Sequence, residues 1–304
     1  MIRLYIGLLL VSFSWGTSFT AVKVGLKVLS ITELVLLRIF LSAILFVVIL
    51  FFLRNSINIK IAKNDLKLVT WLAFCGIASY FPIQTYAINN TITLHTALIM
   101  ALSPIFAAIM TIVAGKEQIT FGRVLGIFIA FSGVVTIIVS AGSSENNLQS
   151  YPNMLIGDLI LLLNALTWAH FTIMGKGLME KYHPFVVIGY IFIVGAVMLV
   201  PYGIVFNHFQ PLYLSKIFFN GWQLPGIILY LGGFCAVYSY FMWYKGVQTL
   251  GAVNTSVFMY INPLFATIAG IVVLGEELTI YNIIGGILVI IGVYIVNCKQ
   301  TASR

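Results

Sequence analysis

The side chains of this sequence that could do chemistry lie singly inside long apolar stretches. Ser103 precedes Pro104, Asn262 precedes Pro263, and His170 interrupts a third stretch. A proline inside a helix removes one backbone hydrogen bond and frees a carbonyl oxygen, so these two pairs predict polar breaks that can bind a small solute. The histidine could bind a carboxylate or carry a proton, or it could stay neutral and hydrogen-bonded between helices.

Motifs for catalysis and for ATP hydrolysis are missing from the sequence. It contains no His-Glu-x-x-His, Gly-x-Ser-x-Gly or Walker motif, and no paired aspartates inside an apolar stretch. Its cysteines, Cys75, Cys235 and Cys298, lack the spacing of metal ligands and are interpreted as small buried apolar residues. We therefore expect no enzyme activity, no ATP, no metal and no cofactor.

The composition indicates an integral membrane protein. Hydrophobic residues make up 61% of the chain and charged residues 8%, whereas an average soluble domain is about 25% charged. The net charge of +8 could suggest a nucleic-acid partner. However, the basic residues are scattered singly at the ends of apolar stretches, which is typical of membrane orientation. We therefore expect lipid, and no nucleic acid, as the surrounding partner.

Ten stretches are long enough to cross a bilayer as helices, which takes about 20 apolar residues each. No small-residue cleavage site follows the first stretch, so we expect it to be an uncleaved span. A polar segment at 141–153 separates two halves of five spans. The predicted spans are 4–26, 32–53, 67–88, 93–114, 120–140, 156–175, 185–206, 224–246, 252–273 and 279–298.

Lysine and arginine residues predict the orientation of these spans. With the N-terminus in the cytoplasm, only Lys23, Lys27 and Lys216 fall in outer segments. Arg38 lies inside the second span, where it could reach the outer interface or pair with Glu33. Twelve basic residues fall in inner segments, so both termini are predicted to be cytoplasmic. The twelve are Arg3, Arg54, Lys60, Lys63, Lys67, Lys116, Arg123, Lys176, Lys181, Lys245, Lys299 and Arg304.

One stretch occurs twice in the chain. Residues 93–138 match residues 252–297 without a gap at an offset of 159. Each copy holds a central proline, a glutamate turn and glycines seven residues apart. Because each half has an odd number of spans, the second copy must enter the membrane from the opposite side, which predicts an inverted repeat. The matched pairs include Thr96 with Thr255, Met100 with Met259, Pro104 with Pro263, Glu117 with Glu276, Gly126 with Gly285 and Gly133 with Gly292.

The first span of each half also matches, at an offset of 153. The change of offset places an insertion or deletion in the second or third spans, where no convincing match is found. The matched pairs are Trp15 with Trp168, Thr17 with His170 and Lys23 with Lys176.

Corresponding motifs therefore stand in the first and sixth spans and around the two prolines. They are Trp15-Gly16-Thr17-Ser18-Phe19 with Lys23, Gly157-Asp158 with Trp168, Ser103-Pro104 with Glu117, and Asn262-Pro263 with Gly275-Glu276. At these residues the chain resembles the drug/metabolite transporter superfamily, in its EamA-type branch. The resemblance implies ten transmembrane helices as two inverted five-helix repeats around a central cavity. It also implies export or exchange of small metabolites, often amino acids, by alternating access.

Twelve residues are predicted to line the cavity. Small and polar residues recur at helical spacing on the fourth and ninth spans, which is typical of a cavity wall but also of helix packing. Trp168 lies about a dozen residues into its span, too deep for an interfacial anchor. The predicted residues are Trp15, Thr17, Ser18, Met100, Ser103, Pro104, Trp168, His170, Tyr240, Met259, Asn262 and Pro263.

The remaining charged residues of interest have structural interpretations as well. Lys245 could attract an anionic substrate, but a lysine at a helix end more often extends to the lipid headgroups. Glu117 and Glu276 are predicted to form structural turns, in which the carboxylate accepts backbone N–H groups at the start of the next helix. Asp158 is expected to cap the sixth helix or to lie at the outer mouth.

Together these patterns predict an all-α membrane protein with two repeats. The first repeat covers 1–140, a connecting loop covers 141–155, the second repeat covers 156–298, and a cytoplasmic tail covers 299–304. We expect a secondary transporter in the bacterial cytoplasmic membrane that exports an amino acid or related compound, with a proton as a candidate coupling ion. The alternative is an uncoupled channel or facilitator, although no filter-like loop or ring of charges is evident.

Overall fold

A computed structural model describes residues 2–114, 120–139, 149, 151–206, 222–250, 255 and 257–298, and every regular element within those ranges is a helix. Seven of the helices are long and apolar enough to cross a membrane. They are α1 (Ile2–Leu26), α2 (Ile31–Leu53), α3 (Lys63–Asn89), α4 (Thr93–Val113), α6 (Met154–Lys181), α7 (Pro184–Phe206) and α8 (Gln223–Leu250). Three shorter apolar helices are α5 (Phe121–Val139), α9 (257–274) and α10 (Ile280–Cys298).

Large apolar side chains cover much of the outer surface of this bundle. Phe52, Phe121, Phe128, Val272 and Ile280 are among the most exposed. In water such an apolar surface would cause the protein to associate, whereas in a bilayer it faces lipid tails that are apolar as well. The helices also satisfy their own backbone hydrogen bonds, which a membrane-spanning segment requires. The protein is therefore a multi-pass membrane protein.

Helices α4 and α9, which carry Pro104 and Pro263, are broken where the sequence predicts a break. In α4 an α-helix ends at Met100, two residues form a turn, and a second α-helix runs over Ser103–Val113 with Pro104 in its first turn. In α9 a 3₁₀ segment is followed by an α-helix over Asn262–Ala269, again with proline in the first turn. Proline is tolerated there because the first backbone N–H groups of a helix have no partner within the helix.

Helices α3 and α8 share an irregularity that the sequence comparison had missed. Each contains a π-helical segment, Phe74–Ala78 in α3 and Tyr230–Tyr238 in α8. Directly after each segment a serine hydroxyl donates to the carbonyl five residues earlier: Ser79 to Phe74 and Ser239 to Phe234, both at 2.9 Å. At an offset of 160 the residues Phe-Cys, then Ser-Tyr-Phe, at 74–81 coincide with those at 234–241.

Helices α5 and α10 pack antiparallel with their backbones in contact. Gly126 lies against Gly292 and Gly133 against Gly285. A Cβ atom added to Gly292 would lie 2.5 Å from the carbonyl oxygen of Gly126. Small residues at such a crossing are typical of membrane helices, because they let two helices approach closely.

Candidate functional site

Three of the predicted cavity residues meet in the middle of the bundle. The rings of Trp15 on α1, Trp168 on α6 and Tyr240 on α8 contact one another edge to face. Their centroids lie 5.9 Å apart for the tryptophan pair and 5.7 Å apart for each tryptophan–tyrosine pair. Residues from the two predicted halves therefore form one aromatic group.

Two further rings complete this group, which we call the aromatic cluster: Trp15, Tyr80, Trp168, Tyr240 and Trp243. Tyr80 of α3 lies 5.5 Å from Trp168, and Trp243 lies 5.3 Å from Trp15. The sequence comparison did not single out Tyr80, although the 160-residue match pairs it with Tyr240. Aromatic faces of this kind bind apolar and cationic parts of small molecules.

The π segment of α8 holds one member of the aromatic cluster in place. The indole Nε1 of Trp15 donates a hydrogen bond of 3.1 Å to the backbone carbonyl of Cys235. A π-helical turn disturbs the regular helical ladder, and here a carbonyl within it accepts from a side chain. The polar edge of Trp15 is thereby satisfied by protein, which leaves its faces for packing.

Several polar atoms near the core of the bundle are buried without a hydrogen-bond partner among the described residues. They are Oδ1 of Asn164, Oδ1 of Asn262, the hydroxyl of Tyr244, and Oγ1 of Thr20 and of Thr85. Asn164 lies one helical turn from Trp168, and Tyr244 one turn from Tyr240. An unpaired buried polar atom costs about 1–3 kcal/mol, so each of these atoms is a candidate for binding a polar group of a ligand.

The break in α9 contacts α1 at the residue that follows Trp15. Gly16 packs against the carbonyl of Asn262, and a Cβ atom at Gly16 would lie 2.6 Å from that oxygen. Asn262 and Pro263 are buried, and Met259 is half-buried in the same hydrophobic core as the aromatic cluster.

The break in α4 is buried as well. Met100 and Ser103 are buried and Pro104 is half-buried. The Ser103 hydroxyl donates to the Met100 carbonyl within α4. Met100 belongs to the same hydrophobic core as the aromatic cluster. Neither break is therefore on the lipid surface.

Thr17 and His170, which were predicted to line the cavity, do not join the aromatic cluster. Each follows its tryptophan by two residues, which turns its side chain to the other side of the helix. The Thr17 hydroxyl hydrogen-bonds to the hydroxyl of Tyr230 at 2.6 Å. Nε2 of His170 accepts from Nε1 of Trp71 at 3.0 Å, and Trp71 is 47% exposed. The two residues nevertheless remain equivalent, since each binds an aromatic residue of the opposite half.

Ser18 and Lys245 also lie apart from the cluster's ring contacts. The Ser18 hydroxyl donates to the carbonyl of Trp15 at 2.7 Å, so it is satisfied within its own helix. Lys245 is exposed and lines an open cavity of about 420 Å³ with Arg3 and Tyr238. This position matches a lysine that extends to the membrane surface.

Glu276 forms a different contact from the one expected. It follows Gly275, whose φ of 67° is readily adopted only by glycine. Its carboxylate does not cap the helix that follows. It accepts the backbone N–H of Thr93 at 2.9 Å, at the start of α4 in the other half, and also the Thr93 hydroxyl. Nζ of Lys23 donates to the same carboxylate at 2.8 Å, with both side chains buried. Its counterpart Glu117 lies outside the described residues.

A second buried group adjoins the start of α4. Nδ1 of His95 lies 2.8 Å from Oδ2 of Asp158, and the Thr91 hydroxyl donates to Oδ1 at 2.5 Å. Nε2 of His95 lies 3.1 Å from Oδ1 of Asn282. Asp158 thus bonds across helices and does not cap α6. The sequence comparison missed His95, although a lone histidine in an apolar stretch was the signal that drew attention to His170.

The two groups are neighbours, since Asp158 interacts through space with Lys23. Together we call them the charged network: Lys23, Thr91, Thr93, His95, Asp158, Glu276 and Asn282. It lies where α1 and α9 end and where α4, α6 and α10 begin. Tyr151, just before α6, has its ring 3.8 Å from Nζ of Lys23. Burial, and secondarily the Glu276 charge, raises the pKa of Tyr151 to about 12, so its phenol stays neutral beside the network. Among the described residues, no group of three His, Cys, Asp or Glu side chains could hold a metal.

Comparisons with known proteins identify a family. The sequence model described as the EamA-like transporter family matches residues 2–139 and 155–298. An uncharacterized transporter of Archaeoglobus fulgidus is 30% identical over 94% of this chain and 95% of its own. A probable terminal-alkyne amino-acid exporter of Streptantibioticus cattleyicolor is 21% identical over 98% of this chain and 94% of its own. A solved crystal structure has the same fold, with a TM-score of 0.65 at 12% identity over 98% of both chains.

Proposed function

Since the chain belongs to the EamA-like transporter family and is a membrane transporter, we propose that it is a secondary carrier of a small amphipathic metabolite. One observation carries this proposal: the aromatic cluster joins the two halves of the chain and is bordered by buried polar atoms without partners among the described residues. Apolar faces with a few convergent polar groups are typical of sites for small molecules. The apolar part of the substrate would lie against the rings, and its polar groups would bind those polar atoms.

We propose that the two halves, 1–140 and 156–298, are inverted repeats of five spans joined by a loop at 141–155, with a tail at 299–304. The family model matches the chain twice, over nearly these ranges. Helix α1 packs on α9 as α6 packs on α4. The π segments of α3 and α8 correspond, and α5 pairs with α10 through matched glycines. These symmetric contacts support a site at the midplane between the repeats.

The orientation follows from the basic residues, which favour cytoplasmic termini in the cytoplasmic membrane of a bacterium. Arg3 and Lys245 would then lie together at the inner surface, and the charged network would close the outer end. Lys176, the counterpart of Lys23, is exposed and lies 3.8 Å from Glu180 of its own helix. This difference between the two ends supports alternating access with the outer end closed in the present conformation.

The proposed substrate site keeps most of the predicted residues. Trp15, Trp168 and Tyr240 supply the rings. Met100, Ser103, Pro104, Met259, Asn262 and Pro263 supply the two breaks. Thr17 and His170 are left out because their side chains bind Tyr230 and Trp71, which lie outside the aromatic cluster. If a proton is coupled to transport, His95 of the charged network is a better carrier of it than His170, because His95 is buried against a carboxylate.

An amino acid or a related compound is the proposed substrate, and export is the proposed direction. The probable amino-acid exporter of Streptantibioticus cattleyicolor, which matches nearly the whole chain, supports this class. An amino acid also fits an apolar cluster with polar atoms at its rim.

Counterflow into liposomes tests the proposal. Purified protein would be reconstituted with one unlabelled amino acid at high concentration inside, and entry of labelled compound would be measured across a panel of amino acids. A carrier accumulates label transiently above its outside concentration, because its site is exposed to one side at a time. Equilibration without accumulation would instead identify an uncoupled channel, and no flux of any compound would reject the substrate class.

A further inference from the structure

Arg38 is a cation buried in the interior of the bundle. Its side chain is only 5% exposed, although it lies in the membrane-spanning part of α2. Among the residues that the structure describes, no carboxylate pairs with its guanidinium, and its side chain donates no hydrogen bond. Glu33 is one of the two possibilities that the sequence offers for Arg38, the other being the outer interface. The Glu33 carboxylate instead accepts the backbone N–H of Ser30 in a capping box at the start of α2.

The surroundings of this guanidinium are aromatic and neutral. Its central carbon lies 4.4 Å from the ring centroid of Phe81. Phe81 in turn contacts Tyr80 of the aromatic cluster, with centroids 5.2 Å apart. The ionisable side chains that interact with the guanidinium through space are Cys235, Tyr240 and Tyr80. Arg38 is therefore at the edge of the proposed substrate site, and no carboxylate of the described ranges neutralises its charge there.

The backbone of α2 is held firmly against the π segment of α8 at this level. The Ser42 hydroxyl donates both to the Arg38 carbonyl at 2.7 Å and to the Gly232 carbonyl at 2.8 Å. A Cβ atom at Gly232 would lie 2.8 Å from the Arg38 carbonyl. The base of the arginine side chain thus has a defined position relative to Tyr240.

A charge inside a membrane protein is retained where it pairs or where it serves a substrate pathway. The attraction to one ring face offsets only part of the free-energy cost of burying a cation. A guanidinium presents five N–H donors in a planar fork that matches a carboxylate. We infer that Arg38 binds the carboxylate of the transported substrate, while the apolar part of that substrate lies against the aromatic cluster. This inference rests on the proposed carrier function and narrows its substrate to compounds with a carboxylate.

Counterflow with matched pairs of compounds tests the inference. Each pair is an amino acid and its carboxamide, for example L-phenylalanine with L-phenylalaninamide and L-leucine with L-leucinamide. These pairs share shape and amine and differ in the carboxylate. The variants are Arg38→Met, Arg38→Lys and the control Arg54→Met. Arg54 directly follows α2 and is exposed, and its central guanidinium carbon lies 4.0 Å from the ring centroid of Phe51.

We expect the native protein to transport acids and to discriminate against their amides. Arg38→Met should weaken the apparent affinity for the acids about 10- to 100-fold, the range of one hydrogen-bonded charge, and should leave the amides unchanged. Arg38→Lys keeps the charge without the planar fork of donors, so its apparent affinity for the acids should lie between those of the native protein and Arg38→Met. Arg54→Met should transport normally. Size-exclusion profiles and melting temperatures identify any variant that fails to fold.

Other results separate the two proposals. Equal transport of acids and amides by the native protein, or an acid preference that survives in Arg38→Met, would overturn the role of Arg38 and leave the carrier function standing. If Arg38→Met does not fold, the comparison of acids with amides in the native protein and in Arg38→Lys still tests whether Arg38 binds the carboxylate. Absence of counterflow for every acid and amide would reject the proposed function itself.

Discussion

At the scale of single residues, the two tryptophans of the two halves are held in the aromatic cluster in different ways. The Nε1 of Trp15 is bonded to the Cys235 carbonyl, whereas Trp168 contacts four rings without a side-chain hydrogen bond among the described residues. Trp168 is therefore held by the packing of its rings. A smaller ring at that position would change the shape of the site without leaving a polar group unpaired.

We predict that Trp168→Phe weakens transport more than it weakens the fold. A contact between the substrate and an aromatic ring is worth about 0.5–1.5 kcal/mol, so losing the substrate's contact with the indole should appear as up to about a tenfold weaker apparent affinity in counterflow. Melting temperature in detergent should fall only slightly. The matched control is Trp71→Phe, which removes an exposed indole that donates a hydrogen bond to His170. Equal transport defects in both variants would contradict a special role for the aromatic cluster.

Asn262 offers a test in which stability and activity move in opposite directions. Its buried Oδ1 has no hydrogen-bond partner among the described residues. Asn262→Leu removes an unpaired group that costs about 1–3 kcal/mol and should therefore raise the melting temperature, while transport should fall because a substrate contact is lost. Asn164→Leu is the comparison, since it breaks the 3.1 Å bond from Nδ2 to the Tyr80 carbonyl and should lower the melting temperature. Normal transport by Asn262→Leu would remove Asn262 from the site.

At the scale of helices, irregular segments occur where the elements approach the proposed site. Prolines interrupt α4 and α9, and π segments interrupt α3 and α8. Each interruption exposes backbone groups that a regular helix would satisfy internally, which a membrane protein tolerates only in a protein interior or a wet cavity. By contrast, α5 and α10 are regular over their described lengths and contact each other along glycines. We therefore interpret the pairing of α5 with α10 as structural support for the other helices.

We predict that Gly292→Ala destabilises the protein through the pairing of α5 with α10. The added methyl group would lie 2.5 Å from the carbonyl oxygen of Gly126, so the helices must separate; overpacking of this kind costs about 1–3 kcal/mol. Gly177→Ala is the control, because nothing lies within 4 Å of a Cβ atom added there. That change should leave stability equal or raise it by up to about 1 kcal/mol. Melting curves in detergent measure the change in stability, and an unchanged curve for Gly292→Ala would contradict the close contact.

At the scale of the whole molecule, the charged network links elements that are far apart in sequence. Glu276 connects the end of α9 to the start of α4 and to the end of α1. Its carboxylate is hydrogen-bonded on both oxygens, and Lys23 neutralises it in a buried setting. Breaking one partner of such a pair typically costs about 3–5 kcal/mol. A rearrangement of α9 against α4 must break these bonds, so the network favours the conformation observed here.

We predict that Glu276→Gln opens the outer end of the bundle. The amide retains an acceptor for Thr93 but loses the charge that pairs with Lys23. In a variant free of native cysteines, Thr20→Cys should therefore react faster with a membrane-impermeant thiol reagent added outside the cell. Lys176→Met is the control, since that lysine is exposed and bonded only loosely to Glu180 of its own helix. Faster labelling from the cytoplasmic side alone would contradict the proposed orientation.

Local properties of the chain were predictable from the sequence. Apolar length located every described helix, because a span must match the thickness of the bilayer whatever its neighbours are. The doubled stretch and the resemblance identified the family correctly. The prolines predicted the broken helices, because a missing N–H acts within one turn. Trp15, Trp168 and Tyr240, which the sequence predicts to line a cavity, contact one another in the bundle.

Only the tertiary structure decided which side chains meet. Two residues of helical offset turned Thr17 and His170 away from Trp15 and Trp168, and packing gave Glu276 a partner 183 positions away. The pairing of His95 with Asp158 and the burial of Arg38 among aromatic rings likewise depend on which faces of distant helices come together. An apolar pattern specifies that a face is buried but not what it is buried against. The sequence by itself therefore determined a duplicated helical membrane transporter, and the packing decided the aromatic cluster, the charged network and the setting of the buried arginine.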